Sequence, residues 1–196
     1  QIIYNSLSCD LNLFKKVSLE LKQNTYPKNF LFIGRFVPVK GLDLLMDAWT
    51  QISNKKGWTL TLIGDGEQKE NYKNIAGVTI KDFMAQTELI KEMEQAGCFI
   101  LPSIFEPWAL VIHEAAAAGL PVIATNVCGA APHFVISGYN GYQVEPNAKS
   151  IQFAMEKIMD LNSGQLIQFS KNSKKLAESI TPELGAAQLM SILNKA

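Results

Sequence analysis

What this chain has little of narrows the reading first. Charged residues make up 18% of its 196 residues, below the ~25% of an average soluble domain. Basic and acidic residues number 18 each, so the net charge is zero. That argues against nucleic acid as a partner, because bulk positive charge is absent. A local basic site for one phosphate group remains compatible with it. Cysteine is scarce and odd in number, with Cys9, Cys98 and Cys128 far apart. The spacing offers no metal or redox pair and no disulfide framework. A reducing compartment fits, so a cytoplasmic location is expected. No apolar run reaches the ~18 residues that a membrane span requires. No signal peptide is visible. The chain opens on Gln1 rather than Met, as a piece of something longer would. No Ser-His-Asp or Cys-His arrangement stands out, and no cluster has metal-ligand spacing.

What is present is a regular alternation. The length suits one domain with a sizeable core. Residues 1–28 read as a connection, with a short extended piece at Ile2–Tyr4 and weak helical character over Leu11–Val17. From Asn29 the pattern becomes strand, helix, strand. Phe30–Ile33 is an apolar strand ended by Gly34, and Leu42–Ile52 carries apolar residues at helical spacing. Strands follow at Trp58–Ile63, Val78–Ile80, Cys98–Leu101, from Val122 to Ala124, and at Tyr142–Val144. A short polar helix is expected after Gly66, one capped by Thr87 runs through Ala96, and one spans Ala109–Ala118. Three helices close the chain at Ala148–Leu161, Ser163–Glu178 and Pro182–Asn194. The fold class is therefore α/β: a Rossmann-like, doubly wound parallel sheet of about six strands.

Ligands of such sheets bind beyond the carboxyl ends of the strands. The unusual residues fall at those ends: Gly34-Arg35, Gly64-Asp65-Gly66, Ser103 to Glu106, and Thr125-Asn126. Arg35 and Lys40 suit a diphosphate, one as a fork and one as a point charge; two solvated loop charges are the competing reading. Gly64-Asp65-Gly66 lacks the third glycine of a dinucleotide fingerprint, since position 69 is Lys, and no Walker lysine follows. A tight turn explains it as well as close approach to a ligand. Glu114 sits in a nearly all-apolar helix, ALVIHEAAAAG. A carboxylate there needs hydrogen-bond donors, and two adjacent ribose hydroxyls would serve; a structural partner is the alternative. The amides of Trp108, Ala109 and Leu110 open that helix and suit phosphate or sugar oxygens. His113 faces about 100° away from Glu114 and reads as structural. Trp49 and Trp58 read as core, and His133 is a lone loop histidine.

Taken together, GRFVPVKG, LTLIGDGE, LPSIFEPWALVIHEAAAAGLPVIAT and GYNGYQVEP, in that order, resemble the C-terminal, donor-binding half of retaining glycosyltransferases with the GT-B fold, in particular glycosyltransferase family 4. Glu106 and Glu114, with seven residues between them, look like that family's pair of glutamates. The resemblance implies that residues 1–28 are an interdomain connection and that 29–196 are the nucleotide-sugar-binding domain. It implies that Arg35 and Lys40 clamp the donor diphosphate, that Glu106 contacts the sugar near its reacting end, and that Glu114 binds the ribose. Gly34, Gly64, Ile80, Lys81 and Phe83 would border the nucleotide, and Trp108, Ala109 and Leu110 would hold sugar and phosphate. The donor would be a nucleotide sugar, UDP-hexose being the family's commonest case, and no metal or cofactor is expected. The acceptor would be a glycan or lipid-linked, met by an N-terminal domain outside this chain, with peripheral contact at the inner face of a membrane. Trp108-Ala109 departs from the family's usual Phe-Gly, and the loop NVCGAAPHFV lacks its usual glutamate. A nucleotide-sugar epimerase of the same fold, or a binding module without activity, are the alternative readings.

Overall fold

The computed structural model describes residues 9–193. Its centre is a parallel sheet of six strands: β1 (Asn29–Ile33), β2 (Thr59–Ile63), β3 (Val78–Lys81), β4 (Cys98–Leu101), β5 (Val122–Thr125) and β6 (Gly141–Val144). Their spatial order is β3-β2-β1-β4-β5-β6. The central strands β4 and β5 are buried at every residue, whereas the edge strand β3 is only partly covered. A parallel strand covered on both faces has no solvent side, which is why Cys98–Leu101 and Val122–Ala124 read as continuous apolar runs.

The order reverses between β1 and β4. Two neighbouring strands there send their connections in opposite directions, and a crevice opens beyond their carboxyl ends. That is the topological reason for the position of the site.

Two helical layers cover the sheet. α3 (Leu42–Gln51) packs against α7 (Ala148–Asp160), and α5 (Leu110–Ala117) packs against α8 (Ser163–Ala177). Leu42, Leu45, Met46 and Trp49 form the buried stripe of α3, as their spacing predicts. Trp49 and Trp58 are both core residues. The remaining helices are α1 (Leu11–Phe14), α2 (Glu20–Asn24), α4 (Gln86–Glu94), α6 (Ala131–Phe134) and α9 (Pro182–Leu193).

The region before β1 is more than extended chain. Phe14, Val17 and Tyr26 are buried in the main core, with α1 against α5 and α2 against α8. Each large apolar side chain so buried contributes ~1.5–3 kcal/mol. The segment expected at Ile2–Tyr4 lies outside the described residues.

Two helix starts differ from expectation for local reasons. α4 begins at Gln86, not after Thr87, because the Glu88 carboxylate reaches back to accept the Ala85 amide at 3.0 Å. α5 begins at Leu110, because Ala109 takes a left-handed conformation, φ 75° and ψ 68°. The loop after β5 contains α6, whose Pro132 sits in the first turn where a missing N–H costs nothing. The polar helix after Gly66 is a 3-10 turn over Lys69–Tyr72, anchored by the Tyr72 hydroxyl donating to Asp43 at 2.8 Å.

Candidate functional site

The loops that follow β1, β2 and β4 are welded to one another by backbone contacts. The Ile104 amide donates to the Val39 carbonyl at 2.8 Å, and the Phe36 amide to Asp65 at 2.8 Å. The approach is close enough to demand glycine. A Cβ on Gly64 would lie 1.9 Å from the Gly34 carbonyl oxygen, and one on Gly41 would lie 2.1 Å from that of Pro102. Gly64 and Gly41 also hold positive φ, at 146° and 67°. Gly64, which reads from sequence as a candidate ligand-approach position, is therefore required first by loop-to-loop packing.

A cavity of about 700 Å³ opens beside these loops. Its walls include Gly34, Arg35, Gly64, Gly66, Phe83 and Met84. Arg35 is exposed, and its guanidinium makes no ion pair or side-chain hydrogen bond among the described residues. Arg35 thus leaves a cation in the wall of a largely apolar cavity with no counter-ion among the described residues. Phe83 is 80% exposed and forms part of the same wall. Ile80 and Lys81 are not in it. Ile80 packs half-buried against the core, and the Lys81 amine is held by both carboxylate oxygens of Glu92 at 2.7 Å.

Lys40 and Glu106 are brought together. They form an ion pair across the switch point, with both side chains largely covered. Lys40 ends a 3-10 turn at Pro38–Lys40, and Glu106 belongs to the loop after β4. The Glu106 loop is zipped to the loop after β5: the Gly129 amide donates to the Glu106 carbonyl at 3.1 Å, and the Ala130 amide to that of Trp108 at 2.7 Å. A Cβ on Gly129 would meet the Pro107 oxygen at 2.1 Å. This zipper left no readable signal in the sequence, because its bonds are made by main-chain atoms.

Trp108 stands half-buried with its ring 5.3 Å from that of His133. Ala109 and Leu110 form the start of α5, which has no side-chain cap, so its first amides are open to a ligand's oxygens. Glu114 is 8% exposed. Burial pushes its carboxyl up from the ordinary glutamate value, and a 3.1 Å hydrogen bond from the Gln86 side-chain amide opposes that shift. His113 is structural, as expected: its ring stacks on Phe134 at 4.1 Å, accepts the Cys9 amide at 3.2 Å, and meets the Ala177 carbonyl at 2.9 Å. Asp65 and Gly66, part of the Gly-Asp-Gly turn, also belong to the cavity wall, as does Met84, which carries no signal of its own in the sequence.

The family described as glycosyl transferases group 1 matches residues 15–176. The chain belongs to that family. Among curated relatives of this group 1 domain, a glycosyltransferase of Methanocaldococcus jannaschii is 32% identical over 87% of this chain, and one of Haemophilus influenzae is 34% identical over 77%. The chain spans about half the length of these relatives, 49% and 44% respectively. Among solved structures, the C-terminal domain of a group 1 glycosyl transferase from Francisella tularensis shares the fold at a TM-score of 0.72, with 21% identity over 88% of this chain and 97% of its own. Sucrose-phosphate synthase from Thermosynechococcus elongatus matches at a TM-score of 0.79, with 26% identity over 96% of this chain and 51% of its own. The Rossmann-like C-terminal half of the GT-B fold is the architecture observed.

Proposed function

We propose that this domain binds the nucleotide-sugar donor of a glycosyltransferase that moves a hexosyl unit, with retention, to a glycan or lipid-linked acceptor. The observation that carries the reading is the unpaired Arg35 in the wall of the cavity at the strand ends, with Lys40 and Glu106 paired in the neighbouring loops. The donor diphosphate is then held by Arg35 and by Lys40, which also stabilise the charge that gathers on the departing nucleotide. Two side-chain cations take the place of a metal ion in that role. Glu106, already at the Lys40 amine, stands where sugar and phosphate meet. Glu114 receives the ribose hydroxyls, and Gly34, Gly64 and Phe83 border the base. The first amides of α5, with Trp108, hold sugar oxygens. A solved structural neighbour, Anabaena HepE, is described in complex with UDP-glucose, with 24% identity and a TM-score of 0.78 over 100% of this chain and 57% of its own. That supports a UDP-sugar as donor. The acceptor site, and any contact with the inner face of a membrane, fall to the remainder of a cytoplasmic protein.

Calorimetric titration of the domain with UDP, GDP and ADP, and with their sugars, tests this. One nucleotide is expected to bind without added metal and in the presence of EDTA. Arg35→Ala should weaken it about tenfold or more, as loss of a charge-assisted bond predicts. Binding of none of the three would overturn the reading.

A further inference from the structure

We infer that Gln86 is a positioning residue for the nucleotide's ribose: it holds Glu114 across the gap between α4 and α5 so that the carboxylate is oriented before the sugar's paired hydroxyls arrive. The inference rests on the reading of Glu114 as the ribose ligand.

Glu114 has a problem that its own helix cannot solve. α5 is apolar on nearly every side, and a buried carboxylate without donors is costly. Among the described residues its side-chain donor is the Gln86 amide, 3.1 Å from Oε1. A carboxylate offers four acceptor positions, and Gln86 uses one. Room remains for two hydroxyl donors.

Gln86 is well placed to do this because α4 is pinned along its length. Glu88 closes its first turn on the Ala85 amide, and Leu89 and Met93 anchor its buried face. The Lys81 amine grips Glu92 from β3. At the far end, the buried Lys22 amine donates to the carbonyls of Met93 at 3.1 Å and Ala96 at 2.7 Å. Leu89, one turn on from Gln86, lines the cavity. An exposed glutamine on a free helix would lose its contact to solvent. On a helix fixed at both ends, it presents its amide at low entropic cost, which is what pre-organisation means.

The consequence is selective. Removing the Gln86 amide should weaken a ribonucleotide and leave a nucleotide without ribose hydroxyls unaffected. It should also make the Glu114 carboxyl harder to ionise. The titratable group facing Glu114 and feeling its charge is the Cys9 thiol, ahead of α1, pushed up to about 12 by burial and so neutral at working pH. His113, on the same helix, is turned to the Ala177 carbonyl of α8 and is held below its usual value by burial. Cys98, in β4, is likewise raised by burial.

The test is calorimetry of the chain with UDP and with 2′,3′-dideoxy-UDP, for the wild type, Gln86→Leu, Glu114→Gln and the double variant. Gln86→Leu is expected to weaken UDP roughly tenfold, the worth of one charge-assisted bond, and to leave the dideoxy nucleotide unchanged. The double variant should match Glu114→Gln alone. The acid limb of UDP binding should move to higher pH in Gln86→Leu relative to the wild type. Equal loss for both nucleotides, no loss for either, or additivity with Glu114→Gln would each overturn the inference. The ribose reading fails by a different result: Glu114→Gln leaving the preference for UDP over dideoxy-UDP intact.

Discussion

Glu114 is held against its own solvation. Its carboxyl is raised in the folded state, so the stabilising contribution of its protonated form is present below the unfolded pKa and is lost as pH rises through the folded value. Near neutral pH the empty domain therefore carries a cost at this residue. Glu114→Gln should raise the melting temperature at pH 7 while weakening UDP, and the stability gain should vanish below pH ~4, where a glutamate is protonated in both states. Melting curves across pH decide it. Gly64 is the opposite case, a residue whose role is geometric. Gly64→Ala places a methyl group on the Gly34 carbonyl at a backbone conformation that alanine avoids. It should cost about 3 kcal/mol or more in denaturant unfolding, and nucleotide binding should fall with it. Ala109 shows the same logic reversed. Its φ of 75° favours glycine, yet this chain accepts the strain and gains a methyl group at the start of α5.

At the scale of elements, charge pairs set what the loops and helices can do. Lys40 is committed to Glu106 before any donor arrives. Glu106→Gln releases that amine for the diphosphate, so UDP should bind up to about fivefold more tightly in a titration. Under the proposed function, glycosyl transfer should fall in the same variant, because the donor sugar would lose a carboxylate contact. α4 depends on Lys22, which is 1% exposed and lowered to about 7, first by burial and then by Lys174, against the opposing pull of Cys98 and Glu94. A lysine lowered in the folded state contributes stability that is full above its unfolded value and is lost as pH falls through the folded one. The domain should therefore gain stability between pH 7 and pH 10 from this residue. Lys22→Met should flatten that rise in thermal denaturation, at the expense of the Met93 and Ala96 carbonyls that it leaves without their donor.

For the whole molecule, ligand and fold share one free energy. UDP at 100 times its dissociation constant adds about 2.7 kcal/mol to the folded state. In a domain of this size that amounts to roughly 5–10 °C in melting temperature. A thermal-shift series with UDP and its sugars measures it, and a tenfold loss of affinity in Arg35→Ala should cut it to about half at the same UDP concentration. The cavity opens at the carboxyl ends of β1 and β2 and beside the loop after β3, and the ion pair joins the loops after β1 and β4.

The inner strands β1, β2 and β4 were legible because each is a largely apolar run stopped by glycine or proline, and burial on both faces restricts the choice of residue. The strand-end cations, the paired glutamates and the core tryptophans were legible for the same reason: each is a residue type out of keeping with its surroundings, or wholly in keeping with them. What the sequence could not carry was contact between distant segments. Nothing local in Lys40 announces Glu106, and nothing in the exposed Gln86 announces Glu114. Only the crossing of loops at the switch point decides those pairs. The zipper between the Glu106 and Gly129 loops was hidden too, because main-chain hydrogen bonds belong to every sequence alike. Periodicity and composition thus determined the layers and the edge of the sheet at which the cavity opens. The tertiary structure decided which cation is left free for it, because the pairing of charges depends on distances between segments that the order of residues does not record.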